Sequence, residues 1–402
     1  MKSYQPSSRS RRPRPRKRQG TADNQDSNRQ GQDRQQSGQR PQGGGGSKGN
    51  SRGGRWRRKN NRVDSGYTAQ PQTNDGGNQN QRSNGPGQGG GGRRGRGGRQ
   101  GGRRTKIPIG ELPAMKMIQQ GISIDPFERL KLETTAAEVT TRALDLVSPI
   151  GRGQRCLVVA PPMAGKTTLL IKISNAISEN HPDIHLKTLL VDERPEEVTH
   201  FKRSTQAEVH AASSDMSAAD HIQIAEACVN GALELVLEGK DVVLLLDSIT
   251  RLARAYNTMA DSGGRTLSGG LDSQTMLVPR QIFGAARKIE DGGSLTIVGT
   301  ALIDTGSRMD EVIFQEFKGT GNMELFLSRE LFTKRIFPCI DIEKSGTRKE
   351  EKLVRAQDLP RIHLLRRHMT AMKAHEAMSF LLELLSRYKS NADLLSSLVA
   401  KV

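Results

Sequence analysis

Ala160–Leu170 reads APPMAGKTTLL, a glycine–lysine–threonine turn between two apolar runs. Cys156–Ala160 (CLVVA) predicts a short buried strand, and Thr167–Ile177 carries apolar residues at helical spacing. A strand, a tight turn and a helix form the frame of a phosphate-binding loop. A helix that starts at such a turn aims free backbone N–H groups at it, which suits an anion. In that frame Lys166 reaches the β- and γ-phosphates and the Thr167 hydroxyl holds Mg²⁺. Ala160, Pro161, Pro162, Met163, Ala164, Gly165 and Thr168 make up the rest of the cradle. The generic pattern begins with glycine where this chain has Ala160. On these residues alone the alternative is an ordinary strand–loop–helix turn.

Two carboxylates stand where such a loop needs them. Asp247 ends the run Asp241–Asp247 (DVVLLLD), 81 residues beyond Lys166. A carboxylate there holds Mg²⁺ directly or through water. The competing role is to cap the next helix, for which Ser248 and Thr250 also qualify. Glu193 lies just beyond the run Leu186–Val191, a position from which it can orient and deprotonate water. Its competing role is a surface ion pair with Arg194. Two glycine-rich stretches, Asp261–Gly270 (DSGGRTLSGG) and Asp304–Arg308 (DTGSR), each carry an arginine, and Lys318–Gly321 adds a basic glycine turn. Near a nucleotide site they suit coupling of hydrolysis to movement; plain solvent loops are the alternative.

The elements that must position these residues are legible in outline. Further strands are expected at Ser294–Ala301 and Glu324–Leu327, with helices at Glu196–Arg203, Ala218–Leu237 and Ile249–Met259. Continuous apolar strands alternating with helices predict an α/β fold with a largely parallel sheet, whose ligands bind at the carboxyl ends of strands. The motor spans 137–351. Before it, a connector over 105–136 is broken by Pro108 and Pro113, and Gly121–Leu132 is expected to dock on the following domain. After it, 352–402 is mainly helical. There Ala371, His375, Met378, Leu381 and Leu385 form a stripe expected to pack subunits together.

Charge divides the chain sharply. Of 402 residues, 1–104 hold 25 Lys or Arg, five Asp and 24 of the 43 glycines, so the net charge of +19 belongs to that quarter. The stretch has too few apolar groups to offset chain entropy and is expected to be disordered. Its arginine clusters, including Arg93, Arg94, Arg96 and Arg99, suit RNA or single-stranded DNA, with salt-dependent binding. A solubilising or condensate-forming tail is the other reading. Three scattered cysteines and eight histidines without metal spacing indicate neither a disulfide framework nor a metal centre. No apolar run is long enough for a membrane span, and no apolar signal segment opens the chain, so the expected location is cytoplasmic.

Longer strings carry a resemblance. SPIGRGQR (Ser148–Arg155), LLVDERPEEVT (Leu189–Thr199), LLLDSITRLARAYN (Leu244–Asn257), FGAAR (Phe283–Arg287), ALIDTGSRMDEVI (Ala301–Ile313), EFKGTGNMEL (Glu316–Leu325) and SGTRKEE (Ser345–Glu351) resemble the bacterial Rho family of transcription termination factors. The resemblance is close from about Ala137 to Glu351. It implies a RecA-like P-loop motor, hexameric and RNA-dependent, hydrolysing ATP with Mg²⁺ and moving 5′-to-3′ on RNA. It also makes alanine at position 160 ordinary. By the same resemblance Lys166, Glu193, Asp247 and Arg348 are catalytic, Glu193 activating water and Arg348 acting as an arginine finger from a neighbouring subunit. Arg194, Arg251, Arg335 and Phe337 attend the nucleotide, Phe337 by stacking on adenine. Arg265 and Thr266 fall in a loop near translocating RNA, and Asp304, Thr305, Gly306, Ser307 and Arg308 form a second one.

The chain departs from the family at Met163 and Arg308, both usually lysine. It also departs upstream, where a helical domain and an OB barrel that is the primary RNA site are expected but do not fit within 105–136. The Arg/Gly tail is expected to bind RNA by charge instead, with little base preference. The expected function is therefore a ring-forming RNA-dependent ATPase that terminates transcription, with RNA polymerase and elongation factors as possible partners. The alternatives are a non-translocating RNA-binding scaffold and a RecA-like ATPase acting on single-stranded DNA.

Overall fold

The computed structural model describes residues 113–260 and 275–398. The basic tail with Arg93, Arg94, Arg96 and Arg99, and the stretch with Arg265 and Thr266, lie outside the described residues. Helix α1 (Pro113–Gln120) starts at a proline, whose missing N–H costs nothing at a first helical position. Strands β1 (Ser123–Ile124) and β2 (Arg129–Leu130) follow, then α2 (Val139–Val147) and β3 (Ile150–Gly151). The next elements are β4 (Arg155–Ala160), α3 (Lys166–Asn180), β5 (His185–Glu193), α4 (Pro195–Ser204), β6 (Glu208–Ser213) and α5 (Ala218–Leu237). After β7 (Asp241–Asp247) and α6 (Ile249–Met259) come α7 (Leu277–Gly284), β8 (Arg287–Ile289), β9 (Ser294–Leu302) and α8 (Arg308–Phe317). The chain continues through β10 (Met323–Leu327), α9 (Arg329–Thr333) and β11 (Ile340–Thr347) to α10 (Leu359–Thr370), α11 (Ala374–Arg387) and α12 (Asn391–Ser397).

Six strands run parallel in the order β10–β4–β9–β7–β5–β6. β11 lies antiparallel beyond β10, and β8 pairs antiparallel with β9 and with β1. The expected α/β class with a largely parallel sheet is the observed one. Helices cover both faces, which is why the central strands are apolar without alternation. Along β4, Cys156, Val158 and Ala160 join a core with α2, α3 and the last three helices, while Leu157 and Val159 join one with α1, α5, α6 and α8.

Gly121–Leu132 does dock: β1 pairs β8, and β2 pairs β3. The expected role of the C-terminal stripe needs correcting. Met378, Leu381 and Leu385 are fully buried within their own chain's core, so α11 covers a sheet face and does not offer that stripe to another subunit.

Of the elements that went unread, three show why. α2 buries Thr140, Thr141, Arg142 and Asp145 beside its apolar residues, which erases the apolar stripe. β6 is an edge strand with mixed burial, and β11 carries exposed Glu343 and Lys344. The polar side chains of α2 are structural. Arg142, wholly buried, donates to the carbonyls of Ala136 (3.0 Å), Leu385 (2.8 Å) and Tyr388 (2.9 Å) and lies 3.6 Å from Glu133. It thereby ties α2 to the C-terminal helices. Removing one partner of a buried charged network leaves the others unpaired, so Arg142→Ala is expected to cost about 3–5 kcal/mol, read as a lower denaturant midpoint in equilibrium unfolding.

Candidate active site

The loop between β4 and α3 turns through two left-handed residues, Met163 (φ 67°) and Gly165 (φ 85°). Gly165 is the N-cap of α3 and offers no side chain, so the first amides of a 15-residue helix face the loop without a side-chain cap. Met163 is 68% exposed. Thr167 sits half-buried in the first helical turn.

Lys166 is the centre of the site. Its Nζ lies 2.7 Å from Glu193 Oε1 and 2.5 Å from Asp247 Oδ1. Strand order brings these residues together: β9 lies between β4 and β7, and β5 follows β7, so three strand ends open on one rim. Burial works against the ammonium charge, but attraction from Asp247 and then Glu193 outweighs it and holds the Lys166 pKa above the ordinary lysine value. Burial, reinforced by the charge of Asp247, raises the Glu193 pKa above the usual carboxylate range, against the pull of Lys166 and Arg251.

Both competing roles for the carboxylates fail. Ser248, not Asp247, caps α6 by accepting from the Arg251 amide. Arg194 does not pair with Glu193; it is 69% exposed and lies 3.9 Å from Glu197, so this structure does not bring it into the cluster. Arg251 instead reaches Asp192 (3.3 Å) and Glu193 (3.6 Å).

Two buried polar atoms here have no hydrogen-bond partner: Asp247 Oδ2 and Arg251 Nε. The first is a free hard oxygen beside the phosphate loop, and with the Thr167 hydroxyl it fits the all-oxygen donor set of Mg²⁺. The second, 3.6 Å from Glu193 but not hydrogen-bonded to it, is a cationic donor suited to a phosphate oxygen. Thr300, on β9, donates to Asp247 Oδ1 at 2.7 Å and orients it. Sequence reading missed Thr300, because only the strand order puts β9 beside β7.

Phe337 and Phe332 stack edge to face at 5.9 Å over a cavity of about 370 Å³ lined also by Gly165, Thr168, Leu169 and Thr140. This apolar slot adjoins the phosphate loop and has the size and lining of a flat-ring site. Arg335 (φ 57°) does not line this cavity; its guanidinium lies 5.4 Å from the Phe332 ring.

Asp304–Ser307 forms a loop leading into α8, with Asp304 (φ 55°) and Gly306 (φ 75°) in the left-handed region and Arg308 exposed at the first turn. Thr305 Oγ1 donates to buried Asp310 at 2.6 Å, and Arg254 of α6 donates to the same carboxylate at 2.8 Å. The loop is thus tied to the helix that follows Asp247. Asp310 and Arg254 were not singled out from sequence, since 56 residues separate them.

Arg348 is elsewhere. It follows β11 at the end where Thr347 pairs with Met323 and Met323 with Cys156, the start of β4. The phosphate loop leaves the other end of β4, and six residues of strand span roughly 16 Å.

Residues 140–347 match the ATP synthase alpha/beta family, nucleotide-binding domain. That is more than half of the chain, which belongs to this family of nucleotide-binding domains. The chain is also similar to proteins named transcription termination factor Rho. The chain is 56% identical over 270 residues to the Streptomyces lividans Rho, covering 67% of this chain and 38% of that protein. It is 53% identical over 268 residues to the Haemophilus influenzae Rho, covering 66% and 64%. The chain therefore spans less than two thirds of the length of these relatives. An ATPase from the type III secretion system of pathogenic bacteria has the same fold at 22% identity, with a TM-score of 0.56 over 69% of this chain and 86% of that one.

Glu193 must be ionised to act as a base, so turnover is expected to rise with pH through its raised pKa, above the ordinary glutamate value of about 4.3. Arg251→Ala removes a positive neighbour and is expected to move that acid limb to still higher pH, read from kcat/KM against pH.

Proposed function

We propose that this chain is the motor of a ring-forming ATPase that is stimulated by single-stranded RNA, moves along it 5′-to-3′ and terminates transcription. The observation that carries the reading is the separation of parts: Lys166, Glu193 and Asp247 share one rim of the sheet, while Arg348 projects from the opposite end. An arginine finger out of reach of its own phosphate loop serves a neighbour's. Kinship with Rho supports the assignment of that role to Arg348.

In this mechanism Lys166 and the first amides of α3 bind the β- and γ-phosphates. Thr167 and Asp247 hold Mg²⁺, which when bound neutralises phosphate charge. Thr300 keeps Asp247 aimed. Phe337 packs on the adenine ring, and Arg335 stands beside Phe332, which lines the same slot. Glu193 orients the attacking water and takes its proton, with Arg251 beside it. Arg348 and Arg194 add positive charge at the edge of the cleft. An arginine finger is worth about 10³–10⁵ in rate in related machines, so an isolated subunit turns over slowly.

RNA contact falls to Arg265 and Thr266, to the loop Asp304–Arg308, and to the Arg/Gly tail of 1–104, which captures RNA by charge. The connector 105–136 and the helical segment 352–402 flank the motor at 137–351. RNA polymerase is the expected partner machine. No helix among the described residues is long and apolar enough to cross a membrane, and Cys156, Cys228 and Cys339 are free, buried thiols, which supports a reducing, cytoplasmic location.

ATP hydrolysis measured with single-stranded RNA, with single-stranded DNA and with neither tests the reading. Stimulation by RNA well above DNA is expected. Stimulation by DNA alone, or tight RNA binding with no turnover, would overturn it.

A further inference from the structure

Arg348 has a fixed backbone and a free head. Its amide donates to the Asn322 carbonyl at 2.9 Å. Asn322 is itself locked to the start of β4: its Oδ1 accepts from the Arg155 amide at 2.8 Å, and its own amide donates to the Arg155 carbonyl at 3.0 Å. The buried Gln154 side chain donates to the same Asn322 carbonyl at 3.2 Å. One residue before Arg348, the Thr347 hydroxyl donates to the Pro149 carbonyl at 2.7 Å. One residue after it, Lys349 (φ 56°) pairs with Asp125 at 2.8 Å. The Arg348 side chain is exposed, and the nearby Asp125 carboxylate is taken by Lys349 and Lys352. Its neighbour Arg155 spends its donors on the carbonyls of Thr320 and Ala286, both at 3.0 Å, and presents a like charge to Arg348, which is exposed.

We propose that Asn322 and Thr347, with the Lys349–Asp125 pair, form a clamp that preorganises Arg348 for the nucleotide cleft of the neighbouring subunit. The proposal rests on the shared-cleft reading above. Asn322 and Thr347 are positioning residues. They fix the donor before charge develops on the phosphate, so no reorganisation is needed at the moment of reaction. A misplacement of about 1 Å can cost about 10²-fold in rate. Because the clamp is anchored on β4, whose far end feeds the phosphate loop of the same subunit, one strand joins the donor for one cleft to the cradle of the next.

The test uses the full chain with Asn322→Ala and, separately, Thr347→Val, which removes only the anchoring hydroxyl. For each, RNA-stimulated kcat is expected to fall about 10- to 100-fold with KM for ATP unchanged. Turnover is expected to recover on mixing with Lys166→Ala subunits and not with Arg348→Ala subunits. A merely structural role would lower stability and assembly without assigning the defect to the neighbour's cleft. Unchanged kcat in both variants would overturn the clamp. So would a raised KM at constant kcat, or recovery with Arg348→Ala subunits. If mixtures of Lys166→Ala with Arg348→Ala never recover although each assembles, the shared cleft itself fails and the clamp with it. Should Asn322→Ala fail to assemble, Thr347→Val decides.

Discussion

The site depends on one lysine held between two acids. Lys166 lies within hydrogen-bond distance of Glu193 and Asp247, all three largely buried at the carboxyl ends of the sheet. A buried charge removed from water is costly unless it is paired, and each of these three supplies the pairing for another. Asp247 Oδ2 and Arg251 Nε, both buried without a hydrogen-bond partner, are the points at which the cluster's hydrogen bonding remains incomplete within the protein.

β4 joins this cluster to the rest of the machine. It is buried on both faces, flanked by β10 and β9, and feeds the phosphate loop at one end. At its other end Asn322 ties it to Arg348. Chemistry that needs both ends of the strand at one phosphate needs two copies of the chain. The loop before α8 is joined to the same frame through Asp310 and Arg254, and so to the helix after Asp247.

Most of the parallel core was legible because its strands are buried on both faces and therefore read as unbroken apolar runs, as in Asp241–Asp247 and Ser294–Leu302. Helix α5 was legible from its stripe, and the phosphate loop from its residue types. What escaped was decided by distant contacts. α2 looks polar because Arg142 and Asp145 satisfy carbonyls and amides far away in sequence. Thr300 is one threonine in an apolar run until strand order sets it against Asp247. The stripe on α11 announced burial but not against what, and its partner is the sheet of its own chain. Arg348 and Phe337 carry no local signal; resemblance, not pattern, singled them out.

The most direct measurement is the structure of the assembled protein with single-stranded RNA and a non-hydrolysable ATP analogue. The account expects Lys166 Nζ to have left Glu193 and Asp247 for the terminal phosphates, with the guanidinium of a neighbouring subunit's Arg348 in hydrogen-bond contact with the γ-phosphate. A γ-phosphate enclosed by one chain alone, with Lys166 still bridging the two carboxylates and Arg348 facing solvent, would contradict it.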